Sequence, residues 1–177
     1  KNYGNELTIS GGANSDSIYS SGDSVTINGG ASADSIKNDG VNSYISGGSG
    51  ADTITNYGDH VTISGGTGND SITNTGKHIV YRFATGNGSD TVIGANNNDT
   101  VQIVSGSYST LKSGDDFIVK VGKASITFMD FGENNLIITG KKSSANISDI
   151  VADKFIGDTE FAREEKITQE NLITFAK

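Results

Sequence analysis

The 177-residue chain contains no cysteine and no proline. The first absence excludes disulfides, thiolate metal sites and cysteine nucleophiles together. The second removes the residue that cannot donate to a sheet ladder, and with it any collagen-like or proline-rich disordered class. Hydrophobic residues make up 33% and aromatics 7%, too little for a large, conventionally packed core. No apolar run is long enough to span a bilayer or to act as the h-region of a signal peptide. With two histidines, no His-Glu-x-x-His and no Gly-x-Ser-x-Gly, no catalytic arrangement is recognisable, and the chain reads as a non-enzyme. Positive charge is scarce as well: 13 Lys and Arg against 21 Asp and Glu give a net charge of -8. That balance disfavours nucleic acid and anionic membrane surfaces and makes cations the natural partners.

Glycine is what the chain has in quantity. Residues 1–100 hold 18 of the 24 Gly, with ten acidic and four basic side chains for a local net of -6, whereas residues 101–177 hold 11 acidic and nine basic, a net of -2. Ile9, Ile18, Ile27, Ile36, Ile45, Ile54, Ile63 and Ile72 recur every nine residues without slip. A fixed period of this kind overrides residue-by-residue propensity. The intervening residues repeat at 18, because Gly11-Gly12, Gly29-Gly30, Gly47-Gly48 and Gly65-Gly66 open one half of each unit while Gly22, Gly40, Gly58 and Gly76 sit in the other. Each nonapeptide reads as a six-residue polar turn followed by a three-residue strand around its Ile. Two of them close one 18-residue coil, and coils stacked at about 4.8 Å give two parallel sheets with the Ile columns facing each other. The residue two before each Ile also points inward. It is Leu7, Val25, Val61 and Ile79 in one half, with Ser43 the exception, and always Asp in the other.

Those residues, Asp16, Asp34, Asp52 and Asp70, fall 18 apart and form one column, neighbours roughly 5 Å from each other. Unpaired carboxylates at that spacing repel, and a cation between them relieves the repulsion. Carboxylates with carbonyls from tight glycine turns make an all-oxygen shell suited to Ca2+ rather than to zinc or copper. The simpler alternative is a solvated acidic edge, which leaves the glycine pattern without a use.

Gly65-Gly66-Thr67-Gly68-Asn69-Asp70-Ser71-Ile72-Thr73 and the segment Gly47 to Thr55 have the form Gly-Gly-x-Gly-x-Asp-x-apolar-x. This resembles the nonapeptide of the RTX, or haemolysin-type calcium-binding, repeat family. The stretch Tyr81 to Val92 is similar to the family's late-repeat element, with the aromatic pair Tyr81 and Phe83 ahead of Gly86-Asn87-Gly88-Ser89-Asp90. Gly114 to Val121 and Ala124 to Phe131 look like the strands that follow and cap such repeats, so the likeness covers about residues 9–131. It implies an all-β, right-handed parallel β-roll or β-solenoid with 18 residues per coil. Three parts are expected: calcium-binding repeats over 1–103, capping strands over 104–140, and a helical cap or secretion-signal-like tail over 141–177. The metal-site residues it implies are Gly11, Gly12, Asn14 and Asp16; Gly29, Gly30, Ser32 and Asp34; Gly47, Gly48, Gly50 and Asp52; Gly65, Gly66, Gly68 and Asp70; and Gly86, Gly88 and Asp90. About three to four calcium ions along one edge are expected.

The chain departs from the family in two places. Asn14 and Ser32 replace the third glycine of the first two turns, and Asn tolerates the left-handed region better than Ser. The alternate turns carry Val25, Ser43, Val61 and Ile79 where the family has Asp, so metal is expected on one edge only. On the other edge Asn2, Asn38, Asn56 and Asn74 recur, broken by Ser20, and a column of amides can hydrogen-bond from coil to coil without an ion. Asp99 stands alone there. His60 and His78 would also stack but lack a third ligand for a transition metal. Gly86-x-Gly88 precedes no helix and is not a dinucleotide loop. The Thr beside each Ile is mixed with Ser and Lys, unlike an ice-binding face.

Beyond the repeats, Ile147, Ile150, Val151 and Phe155 follow helical spacing, and Thr168 to Lys177 suggests a second helix. Their expected roles are to cover the open end of the solenoid or, by resemblance, to serve a type I secretion apparatus. The chain opens at Lys1 within a repeat, as a piece of a longer protein would. The expectation is a calcium-binding module of a larger secreted or cell-surface protein that folds on calcium binding after export. The alternatives are a calcium-independent stalk of a surface adhesin and the non-catalytic tail of a secreted enzyme or toxin. Oligomeric state is not legible.

Overall fold

The structure, a computed structural model, describes residues 1–132 and 134–143. Among them it contains fourteen strands and no helix. The strands that carry one Ile column are β1 (Thr8–Gly12), β3 (Thr26–Ala31), β5 (Tyr44–Ser49) and β7 (Thr62–Thr67), continued by Tyr81 of β9 (Val80–Ala84); those that carry the other are β2 (Ser17–Ser20), β4 (Ser35–Asn38), β6 (Thr53–Asn56) and β8 (Ser71–Asn74), continued by Val92 of β10 (Ser89–Ile93). Each set pairs in parallel with a shift of one unit, so Ile9 lies opposite Ile27, Ile27 opposite Ile45 and Ile45 opposite Ile63. In the second set Ile18, Ile36, Ile54 and Ile72 align the same way. The result is a parallel β-solenoid of about five turns.

The odd-numbered strands are longer than three residues. β3, β5 and β7 each run six residues, through the Gly-Gly pair and one residue beyond, with Gly30 in register with Gly48 and Gly48 with Gly66. Part of what reads in the sequence as turn is therefore strand. Coils approach so closely there that a Cβ on Gly48 or Gly66 would collide with the carbonyl of the preceding coil, and bare backbone lets the ladder continue.

Two columns of Ile and their inward neighbours make the core. Ile27, Ile45, Ile54, Val61 and Ile79 are wholly excluded from solvent, whereas Ile9 is half-buried and Leu7 exposed at the first coil. Ser43, the polar exception, is buried and uses its hydroxyl to accept the N–H of Val25 at 3.1 Å. At the fifth coil Tyr81 stands opposite the smaller Ile63, and Phe83, two residues on, is buried with it. There the chain turns back. β11 (Thr100–Ser113), β12 (Asp116–Val121) and β13 (Ala124–Met129) form antiparallel pairs; β13 also lies parallel to β10 and β14 (Ile137–Lys142) parallel to β11. Phe128 meets Tyr81 edge to face at 5.4 Å, and Val119, Val121 and Ile126 complete an apolar plug over the last coil. The capping strands expected over Gly114 to Phe131 are thus β12 and β13, and the helices expected after Ile147 lie outside the described residues.

On the edge opposite the Asp column, the amide column forms. Nδ2 of Asn38 donates to Oδ1 of Asn56 at 2.9 Å, and Asn56 does the same to Asn74. Each amide also donates to the glycine carbonyl two residues on, Gly40, Gly58 or Gly76. Because Asn56 is fully buried, its replacement strands a donor on Asn38 and takes a donor away from Asn74 and from the carbonyl of Gly58. Asn56→Ala is expected to lower stability by about 2–3 kcal/mol in a urea titration, the cost of buried polar groups left unpaired.

Candidate metal centre

Asp16, Asp34, Asp52 and Asp70 each stand one residue before a strand of the second set, and Asp90 stands inside β10. The stacking places every one of them above the last. The backbone N–H of Asp16 donates to Oδ1 of Asp34 at 2.8 Å, that of Asp34 to Asp52 at 2.8 Å, that of Asp52 to Asp70 at 2.8 Å, and that of Asp70 to Asp90 at 3.1 Å. One oxygen each of Asp34, Asp52, Asp70 and Asp90 is therefore committed to holding coils together. The other is idle: Oδ2 of Asp34, Asp52 and Asp70 is buried with no hydrogen-bond partner. A buried, unpaired carboxylate oxygen is costly, and a native fold that keeps a row of them has a use for them.

The first glycine of each turn shows what faces those oxygens. A Cβ on Gly11, Gly29 or Gly47 would come within 3.0 Å both of Oδ2 of the Asp in its own turn, Asp16, Asp34 or Asp52, and of the carbonyl of the first glycine in the next turn, Gly29, Gly47 or Gly65. Carboxylate and carbonyl thus converge on a small space beside a Cα that carries no side chain. The donor set is all oxygen, of the kind that suits a hard divalent cation. Among the described residues no three His, Asp or Glu side chains gather in one place, so each such centre rests on few carboxylates and on backbone carbonyls.

The third turn position behaves differently in the first two turns. Ser32 takes φ of 77°, in company with Gly50 at 132° and Gly68 at 130°, and ties itself to the coil before by donating to the carbonyl of Ala13 at 3.0 Å. Asn14 does not enter the left-handed region. The fifth turn departs further. Gly86 has no atom within 4 Å of the point where its Cβ would lie, and the carboxamide of Asn87 lies between coils, donating to the carbonyl of Gly66 and accepting the N–H of Ala84. The sequence carried a signal for this, since two residues more separate Asp70 from Asp90 than separate the other Asp.

The opposite edge has no such vacancy for charge. Its carbonyls are taken by the Asn column, and Asp99, fully buried, has both oxygens in use, accepting the N–H of Ile79 at 2.9 Å and of Asn96 at 2.8 Å. Glu6, Ser24, Asn42, His60 and His78 form a column of non-glycine residues at φ of 55–58°, a recurrence the residue types do not announce. The rings of His60 and His78 stack 4.8 Å apart at 11°. Nearly parallel planes do not aim their in-plane nitrogens at a common ion.

Burial pushes the Asp70 carboxyl up to about 6 and the Asp90 carboxyl up to about 7, against hydrogen bonds from the backbone of the coil before that favour the charged form; the neighbouring Asp52 and Asp70 charges push the same way as burial. Asp52 is raised for the same reasons. An unfolded aspartate titrates near 3.9, so between about pH 4 and pH 7 the metal-free fold holds more protons than the unfolded chain, and its stability falls as pH rises through that window. Metal-free protein is expected to keep more β-structure at pH 5 than at pH 7.5 by circular dichroism; the reverse order would contradict this burial.

Sequence comparison agrees with the geometry. No curated protein matches the chain. The RTX calcium-binding nonapeptide repeat matches in four copies, over residues 10–42, 41–60, 62–73 and 82–102. Over residues 10–102, a stacked column of glycine turns and aspartates, the chain belongs to the RTX calcium-binding nonapeptide-repeat family.

Proposed function

We propose that the solenoid is a non-catalytic module that holds calcium between successive turns of its Asp edge and depends on that calcium to complete its fold. The observation that carries this reading is the row of buried, unpartnered Oδ2 atoms of Asp34 and Asp52, each facing a glycine carbonyl of the next coil. Asp16, Asp34 and Asp52 supply the charge, and Gly29, Gly47 and Gly65 the carbonyls. A divalent cation there neutralises the column.

The energetics favour dependence on a ligand. A nine-residue unit that buries one Ile gains roughly 2–3 kcal/mol from burial, while ordering its backbone costs about 1–2 kcal/mol per residue. Sites that exist only in the folded coil each contribute about 1.4 kcal/mol when calcium is tenfold above Kd. Three to four of them shift the balance by roughly 4–6 kcal/mol, comparable with the whole stability of a small domain. Extracellular calcium modules have Kd of about 0.1–1 mM, so the chain would stay open where calcium is scarce and close in a calcium-rich medium. A chain without cysteine that remains extended until it emerges suits export through a narrow channel, which supports placement as part of a larger secreted or surface protein using a type I apparatus.

The Ile and Asn columns would hold a stalk without any ion, and that reading is separated by measurement. Circular dichroism is expected to show a gain of β-structure between EGTA and 10 mM calcium; an identical spectrum and melting temperature in both would establish the stalk. Gly47→Ala, which crowds Asp52 and Gly65 without demanding a forbidden backbone angle, is expected to remove one bound calcium in calorimetry and about 1.4 kcal/mol of calcium-dependent stability at tenfold over Kd.

A further inference from the structure

The Asp edge has four gaps between its five turns, and they are not alike. In the first three the strands pair across the gap through their glycines, as Gly12 does with Gly30, Gly30 with Gly48 and Gly48 with Gly66. Across the fourth, pairing of β7 with β9 stops at Ile63 and Tyr81. The first glycine of the turn is replaced by Thr85, whose N–H and hydroxyl point instead to the hydroxyl and carbonyl of Ser105, at 3.3 and 3.5 Å. Around Gly65 the three nearest atoms to an added Cβ all belong to Asp70, and no carbonyl of the following turn comes as near. Gly86 is withdrawn from the coil before it.

Asn87 fills what this withdrawal opens. Its Nδ2 donates to the carbonyl of Gly66 and its Oδ1 accepts from Ala84, while its own carbonyl accepts the N–H of Gly68 at 2.9 Å. The residues at the same place in the other turns are Ala13, Ala31, Ser49 and Thr67, none of which carries an amide. A carboxamide offers two donors to carbonyl oxygens and brings no charge. That is how Asn38, Asn56 and Asn74 satisfy the glycine carbonyls of the opposite edge, where no ion is needed.

We infer that Asn87 closes the fourth gap to cations, its carboxamide satisfying the backbone that a cation would otherwise meet, so that the row holds three ions, in the gaps spanned by Asp16, Asp34 and Asp52, and ends before Asp70, whose Oδ2 alone of the buried row faces no glycine carbonyl and keeps no ion. This rests on the calcium-binding reading above. It removes Gly86, Gly88 and Asp90 from the set of ligands that the repeat pattern implies and gives them a structural role in joining the roll to its cap.

Native mass spectrometry and calorimetry of the full chain in calcium test it by counting. The wild type is expected to bind three ions. Asn87→Ser, which restores the residue type of Ser49, is expected to bind a fourth. Asp70→Asn guards against a misfolded Ser variant: it keeps the oxygen that accepts from Asp52 and is expected to leave the count at three, whereas Asp52→Asn lowers it to two. Four ions in the wild type, with one lost in Asp70→Asn, would overturn the inference while leaving calcium binding intact. A count that stays at three in a folded Asn87→Ser chain would overturn it as well. No ion in any of the chains would remove the calcium-binding reading itself, and this inference with it.

Discussion

The half-used carboxylate governs this structure. Asp34, Asp52 and Asp70 each give one oxygen to the backbone N–H of the coil before and keep the other buried and unpaired. The first interaction is structural and needs no ion. The second is unfavourable until something positive arrives, because a buried carboxylate oxygen without a partner forfeits its hydration and gains nothing in return. One side chain thus joins coil-to-coil stacking to the presence of a cation, and the two cannot be separated by moving the residue.

Stacking at this distance imposes the composition. Coils in parallel register bring like residues together, so any side chain on the inner corner of a turn meets its own copy from the next coil. Glycine is the one residue without that conflict where backbone meets backbone, as at Gly48 against Gly30. Ile suits the interior, since columns of one branched side chain pack evenly, and Asn suits the uncharged edge, since an amide is both donor and acceptor to its own copy. Asp is the anomaly of the set: a column of identical acceptors cannot satisfy itself. The low aromatic content follows from the same logic: among the described residues the buried rings are Tyr81, Phe83, Phe128 and Phe131, where the repeat ends and a wider space must be closed.

The repeat made much of this legible. Ile at every ninth residue announces short parallel strands, and Asp at every eighteenth announces a single charged edge; both appear where the period puts them. The amide ladder follows from Asn38, Asn56 and Asn74 for the same reason. What the period could not convey is how far a strand extends, since Gly-Gly reads as turn by composition yet pairs as strand in β3, β5 and β7. Nor could residue type foretell that Ser32 takes the left-handed conformation and Asn14 does not, or that Glu6, Asn42 and His60 share it. Backbone angles there are set by the coil above and below, and local preference is overruled.

The sequence by itself determined the period, the identity of each column and the sign of charge on each edge, because in a stacked solenoid spacing along the chain is position in space. Only the tertiary structure decided which atoms are satisfied: that one oxygen of Asp34, Asp52, Asp70 and Asp90 is consumed by the neighbouring coil, that a glycine carbonyl faces the other in Asp34 and Asp52, and that the Asn87 carboxamide lies between the last two coils. These depend on contacts between coils eighteen or twenty residues apart, and residue letters do not carry the distances across them.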